Sequence, residues 1–129
     1  LVVDDEDSIR RTLARYLARR GHQVSVAAEG GEALRLLDAA DDCFDVILSD
    51  MRMPGLSGDR LYASLRERAG GMDRRLVFMS GDALGDTTAD ALAATAVPVI
   101  LKPFDLVSVA EMLEAVARQN AGDRECYGA

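Results

Sequence analysis

Five residues have the types and positions to do chemistry together: Asp4, Asp5, Asp50, Ser80 and Lys102. Asp4 and Asp5 open a run of four acids, "DDED", directly after the apolar "LVV". Like charges packed this closely repel, and one of them should resist ionising unless a cation joins them. Asp50 ends the apolar stretch "DVILS", and three carboxylates brought to one place form an oxygen cage of the kind Mg²⁺ accepts. Lys102 follows "VPVIL" and is the only lysine in a chain otherwise served by arginine. It is a compact charge on a long stem, suited to reaching a phosphoryl oxygen beside a metal. Ser80 could donate its hydroxyl to the same group, with Gly81 leaving the space open. Asp50 is of the type that takes a phosphoryl group in line as a nucleophile. Each residue also has a plainer reading. Acids suit a first helical turn, Asp50 could be a turn acid ahead of "MPG", Ser80 a turn serine in "SGD", and Lys102 a solvated loop residue.

What decides between these readings is whether the chain brings the five together. Short apolar stretches alternate with stretches of helical period. "LVV" reads as a buried strand, followed by a helical stripe of Ile9, Leu13, Tyr16 and Leu17 that Gly21 ends. "QVSVA" alternates like a strand, and "GGEALRLLDAA" is helical, with Leu34 and Leu37 on neighbouring turns. "DVILS" is a strand followed by the turn-rich "MPGLSG", and Leu61 and Leu65 mark a third helix. "RLVFMS" is a strand, "DTTADALAATA" a weak helix, "VPVIL" the last strand, and Leu106, Val109, Leu113 and Val116 a closing helix. Five strands and five helices in strict alternation predict a parallel sheet covered on both faces. Such sheets bind ligands outside the carboxyl ends of their strands. Strand one delivers Asp4 and Asp5 there, strand three Asp50, strand four Ser80 and strand five Lys102. Strand two ends in Ala27 and Ala28 and delivers no polar group.

Composition narrows the function further. The chain has 129 residues, enough for one core, with 49% hydrophobic and 29% charged residues. A net charge of −7 argues against nucleic-acid binding, which needs a basic surface. The arginines of "SIRRTLARYLARRG" and "RERAGGMDRR" read as solvated helix faces. Cys43 and Cys126 form no CxxC pair, and the single histidine, His22, reads as a surface turn residue. No apolar run is long enough to cross a bilayer and no signal peptide is visible, so a cytoplasmic location is expected. Residues 1–119 are expected to form the domain, and 120–129 a polar tail.

Taken with their order and spacing, "VVDDE", "ILSDMRMPGLSG", "VFMSGD" and "LKPF" resemble the receiver domain of two-component signalling proteins, from Leu1 to about Gln119. The resemblance implies a flavodoxin-like, doubly wound sheet of order 2-1-3-4-5. It implies that Asp50 accepts a phosphoryl group from a phosphohistidine on a histidine kinase, with Mg²⁺ held by Asp4, Asp5, Asp50 and the backbone carbonyl of Arg52. Ser80 matches the family's hydroxyl switch residue and Lys102 its phosphate-contacting lysine. The Lys102–Pro103 bond is cis by the same resemblance. On this reading Asp4 and Asp5 crowd together for the metal, while Glu6 and Asp7 begin the first helix.

The implied partners are a kinase dimerisation and phosphotransfer domain, or a histidine phosphotransfer protein. Nucleic acid and membrane contact are not implied, and the chain is expected to be a monomer. "FMSGDALGDTT" and "VPVILKPFDLVSV" look most similar to receivers fused to sensor histidine kinases. A free-standing or DNA-binding response regulator is the alternative. A dedicated enzyme is the third reading, a small Mg²⁺-dependent phosphohydrolase working through an aspartyl phosphate. The chain offers no cap segment for one, and the expected catalysis is limited to its own phosphorylation and dephosphorylation. Two departures from the family stand out. Val99 occupies the place, three residues before the lysine, where receivers commonly carry Phe or Tyr, and the helix expected over residues 86–96 has few apolar anchors.

The role implied for Lys102 carries a test. Lys102→Arg should behave like Lys102→Ala, because a planar guanidinium prefers bidentate contacts and the site offers one phosphoryl oxygen beside a metal. Phosphorylation lifetimes are the measurement, and a wild-type lifetime in the arginine variant would contradict the role.

Overall fold

A computed structural model describes residues 1–39, 44–51, 58–68, 72–80, 97–101 and 104–120. Five strands, β1 (Val2–Val3), β2 (Val26–Ala27), β3 (Ile47–Asp50), β4 (Leu76–Ser80) and β5 (Val99–Leu101), form one sheet of order β2-β1-β3-β4-β5. All four pairings are parallel. The expected doubly wound topology is therefore present. Four α-helices lie among the described residues: α1 (Asp7–Arg19), α2 (Gly30–Ala39), α3 (Gly58–Arg66) and α4 (Leu106–Gln119). The weak helix expected over residues 86–96 falls outside them, as does the tail beyond residue 120.

Strand side chains alternate between two cores. Val3, Ile47, Leu76 and Phe78 pack on one face with Ala33 and Leu37 of α2 and Leu61 and Leu65 of α3. Val2, Leu48, Val77, Met79 and Ile100 pack on the other with Leu13 and Leu17 of α1 and Val109, Leu113 and Val116 of α4. Because helices cover both faces, β4 is buried along its whole length, which is why "LVFMS" carries no polar alternation. Burying each leucine or phenylalanine stabilises the fold by roughly 1.5–3 kcal/mol, and together these side chains fix the strand register.

Local chemistry sets the helix ends. Gly21, at φ 95°, closes α1 as the sequence indicated. Its N–H donates to the Ala18 carbonyl, and the His22 N–H donates to that of Leu17. This is a Schellman cap, which needs the left-handed residue that glycine supplies without strain. Asp105 caps α4, its carboxylate accepting from both the backbone N–H and the hydroxyl of Ser108 at 2.7 Å. Those bonds hold the Asp105 carboxyl below its ordinary range.

Two expectations need correcting. "QVSVA" pairs only through Val26 and Ala27, because β1 offers Val2 and Val3 alone as ladder partners on this edge. The cluster "RERAGGMDRR" is not one solvated face. Residues Met72–Arg75 form a 3₁₀ turn, and Arg75 is buried with its guanidinium donating to the Phe44 carbonyl at 3.0 Å. By contrast His22 is a surface residue, as read from the sequence, and it joins a clasp. Arg20 grips Glu114 of α4 with two N–H groups at 3.0 and 2.8 Å, and His22 Nε2 lies 2.9 Å from the same carboxylate.

The clasp has a pH signature. Hydrogen bonds from Arg20 first, then His22, hold the Glu114 carboxyl down from 4.5 to about 2. A carboxyl depressed in the folded state stabilises fully above its unfolded value and stops doing so as pH falls through its folded value. The melting-temperature gap between the wild type and Glu114→Gln should therefore hold steady from pH 6 to 5 and shrink between pH 4.5 and 2. A gap that stays constant to pH 2 would contradict the clasp.

Candidate functional site

Parallel strands end at one rim, and register decides which residues meet there. Val3 pairs with Ser49 and Val2 with Leu48, so Asp4, the next residue along β1, comes level with Asp50. Asp50 pairs with Met79, which places Ser80 one step further along β4. Ser80 in turn pairs with Leu101, the residue before Lys102. On the far side Val3 pairs with Ala27, and the Ala27 carbonyl accepts from the Asp4 N–H at 3.1 Å.

The rim brings three acids together. Asp4, Asp5 and Asp50 each offer a carboxylate oxygen, and these oxygens lie within 4.8 Å of one another. Asp4 is 0% exposed, Asp50 7% and Ser80 5%, whereas Asp5 is open to solvent. Two carboxylates shut away from water beside a third are costly unless positive charge compensates them. The donor set is all oxygen and hard, and it opens to solvent on the Asp5 side. That suits a small divalent cation which keeps several of its waters. Arg52, Lys102 and Pro103, and with them the expected cis bond, lie outside the described residues.

Local bonds lock Asp4 in place. Its Oδ1 accepts from the Glu6 N–H at 2.8 Å, an Asx-type turn that starts α1. Glu6 occupies the N-cap position without a side-chain capping bond, so Asp4 caps from two residues back. Asp7 then takes the first-turn role expected of it, pairing with Arg10 at 3.0 Å and Arg11 at 2.9 Å. Arg10 went unremarked in the sequence beyond its place in an arginine cluster. Its Nη1 donates to the Asp4 carbonyl at 2.7 Å while Nη2 holds Asp7. The available signal was its spacing, three residues after Asp7 on the helix that Asp4 begins. At the neighbouring strand end, Glu32 folds back to accept from the Ala28 N–H at 3.2 Å, so that position is closed by capping and holds no site residue.

The sequence profile of the response regulator receiver domain matches residues 1–114. The chain belongs to the receiver domain family. Among curated relatives it is similar to the regulatory protein AtoC of Escherichia coli (36% identity over 82% of this chain and 22% of that protein). It is similar to the sensor kinase CckA of Brucella abortus (35% over 88% of this chain and 12% of that protein). It also resembles the transcriptional regulatory protein KdpE of Mycobacterium tuberculosis (34% over 97% and 53%). The chain thus spans about half or less of the length of these proteins. Among solved structures, Vibrio cholerae chemotaxis protein CheY4 superposes with a TM-score of 0.75 at 27% identity, covering 89% of this chain and 94% of that one. The receiver domain of a Syntrophus aciditrophicus signal transduction histidine kinase shares the fold, with a TM-score of 0.79 at 20% identity over 92% and 88% of the two chains.

The chain is thus a receiver domain of the kind found in two-component signalling systems. Receiver domains in general use Mg²⁺, and the Asp4, Asp5 and Asp50 cluster has the chemistry to hold it. Receivers work with histidine kinases or phosphotransfer proteins. Among the described residues no helix is long and apolar enough to cross a membrane.

Crowding of the carboxylates implies a trade between stability and function. In EDTA, Asp4→Asn should melt higher than the wild type by a few degrees, since removing one like charge relieves roughly 1 kcal/mol of repulsion while Oδ1 still accepts from Glu6. Added Mg²⁺ should raise the wild-type melting temperature and scarcely move the variant's. A lower melting temperature for the variant in EDTA, or an equal Mg²⁺ response, would show that the three acids do not share a cation.

Proposed function

We propose that Asp50 is the phosphoacceptor, and that the chain takes a phosphoryl group from a kinase phosphohistidine as the receiver of a hybrid sensor histidine kinase. The observation that carries this reading is the register: four parallel strands converge so that Asp50, at the end of the central strand β3, sits between Asp4 and the Ser80 end of β4. A nucleophile belongs at the centre of such a rim, where groups from both sides can act on one phosphoryl group.

The reaction is a transfer in line. An oxygen of the Asp50 carboxylate bonds to phosphorus, the N–P bond of the phosphohistidine breaks, and its electron pair stays on the imidazole nitrogen. By the family resemblance, Asp4, Asp5, Asp50 and the Arg52 carbonyl would hold Mg²⁺, which would supply positive charge against that of the phosphoryl group. Ser80, buried at the end of β4, donates its hydroxyl to one oxygen, and Lys102 gives another a point charge. Burial of Asp4 and Asp50 lowers the local dielectric on their side of the site, which strengthens the interactions these charges make. Hybrid-kinase parentage draws on the likeness to the sensor kinase CckA and on the stretches from Phe78 to Thr88 and Val97 to Val109.

Intact-mass measurement with a small acyl-phosphate donor tests the assignment. One added phosphoryl group is expected, requiring Mg²⁺ and absent from Asp50→Asn. A variant that still gains the mass, or a reaction indifferent to EDTA, would overturn it.

Val99 bears on what phosphorylation changes. It lies half-buried on β5, paired with Phe78, whose ring is packed in the core. Valine is short and stiff at χ1 and has no ring to swing. Movement of Ser80 toward a phosphoryl oxygen is therefore absorbed locally, which suits a relay domain better than one that dimerises on command. Backbone amide shifts on adding Mg²⁺ and a phosphoryl mimic should concentrate around Asp5, Asp50, Ser80 and Lys102, with no change in sedimentation. Large shifts across residues 89–99 together with a monomer-to-dimer change would contradict this.

A further inference from the structure

Ser49 stands one residue before the rim on β3 and is 0% exposed. It pairs with Val3 on one side and Phe78 on the other, Val3 pairs with Ala27, and Phe78 with Val99. The four neighbours in this row are apolar and share the core under α2 and α3. A strand buried between two helical layers calls for an apolar side chain here, and a hydroxyl adds a desolvation cost without improving the packing. The Ser49 hydroxyl donates to the Asp50 carbonyl at 3.0 Å. The other polar group of that peptide, the Met51 N–H, donates to the Met79 carbonyl on β4 at 3.0 Å. Met51 is itself buried in the same core. The peptide that follows Asp50 is thus held at both of its polar groups. Asp4, the other buried acid of the rim, is treated alike, since Arg10 Nη1 donates to its carbonyl at 2.7 Å. Each buried acid therefore has a side-chain donor on its own main-chain carbonyl.

We infer that Ser49 is a positioning residue: its hydroxyl fixes the Asp50–Met51 peptide and, through it, the aim of the Asp50 carboxylate. The inference rests on the phosphoacceptor reading above and adds what holds the nucleophile in line. Fixing that peptide sets the backbone angle ψ of Asp50, so the carboxylate turns only about its own side-chain bonds. Transfer in line tolerates little error, and a displacement of about 1 Å can cost on the order of a hundredfold in rate. Ser49 faces the core and not the rim, so it acts through Asp50 and meets neither the donor nor the phosphoryl group. The plainer reading is a buried serine that satisfies its hydroxyl on the nearest carbonyl. That reading predicts a change in stability and none in the rate at saturation.

The test follows single-turnover labelling by acetyl phosphate at saturating Mg²⁺ in the wild type, Ser49→Ala, Ser49→Val and Ser49→Thr. Valine and threonine have nearly the same shape, so the hydroxyl is what separates those two variants. The limiting rate should fall about five- to tenfold in the Ala and Val variants, the worth of one hydrogen bond, and recover toward the wild-type rate in Thr. The half-saturating donor concentration should be the same in all four proteins, because Ser49 does not meet the donor. The ¹³C resonance of the Asp50 carbonyl reports the bond itself, and it should move in the Ala and Val variants and return in Thr. A wild-type limiting rate in Ser49→Ala, a Thr variant no faster than Val, or a loss confined to the half-saturating donor concentration would overturn the inference. The two proposals fail differently. A wild type that takes up no phosphoryl group removes the phosphoacceptor reading and this inference with it, whereas a labelled wild type with indifferent variants removes the inference alone.

Discussion

The structure depends on one electrostatic constraint: three carboxylates held within 4.8 Å of each other, two of them shut away from water. No packing benefit explains that arrangement, since acids at these positions would cost the fold less if spread apart. What imposes it is the sheet. Parallel pairing brings the ends of β1, β3 and β4 to one rim, and cores on both faces forbid the slip in register that would separate them. The start of α1 reinforces the same point. Asp4 accepts from Glu6, and Arg10 ties the Asp4 carbonyl to the first helical turn, so the acid that carries most of the burial cannot turn outward. A fold that fixes acids this closely has the chemistry to hold a cation there.

Much of this was legible in the sequence because the same pattern sets both fold and site. Continuous apolar runs ending in a polar residue declare buried parallel strands and, with them, what stands at the rim. Asp4, Asp50 and Ser80 stand at strand ends by sequence pattern alone, and so does the end of strand two that carries no polar group. Less legible were features that depend on distant contacts. Arg75 reads as one more surface arginine, and only the approach of the Phe44 carbonyl makes it a buried donor. His22 looks like a lone turn residue until the Schellman cap aims it at Glu114, ninety-two positions away. The two-residue extent of β2 is likewise set by its partner β1 and not by its own alternation. Periodicity reports which face of an element is buried, but it is silent about which neighbour arrives there.

The charge distribution divides the molecule's work. The acidic body suits a cation at the rim and discourages polyanions, while α1, which starts two residues after Asp5, concentrates positive charge. Its inward leucines hold the sheet while Arg11, Arg15 and Arg19 stay exposed, so a single amphipathic segment packs the core and carries the positive charge outward. The clasp of Arg20 and His22 on Glu114 anchors the far end of that helix to α4.

The proposed chemistry of the rim depends on a single cation shared by the three acids. Titrating the ¹⁵N-labelled chain with Mn²⁺ measures this directly, because a paramagnetic ion broadens amide signals according to their distance from it. The amides of Asp4, Asp5 and Asp50 should broaden first and together, at one stoichiometric equivalent, and excess Mg²⁺ should restore them. Broadening that spreads over exposed acids such as Asp7, Asp38 and Glu67, or that leaves Asp4 and Asp50 untouched, would contradict a common metal site.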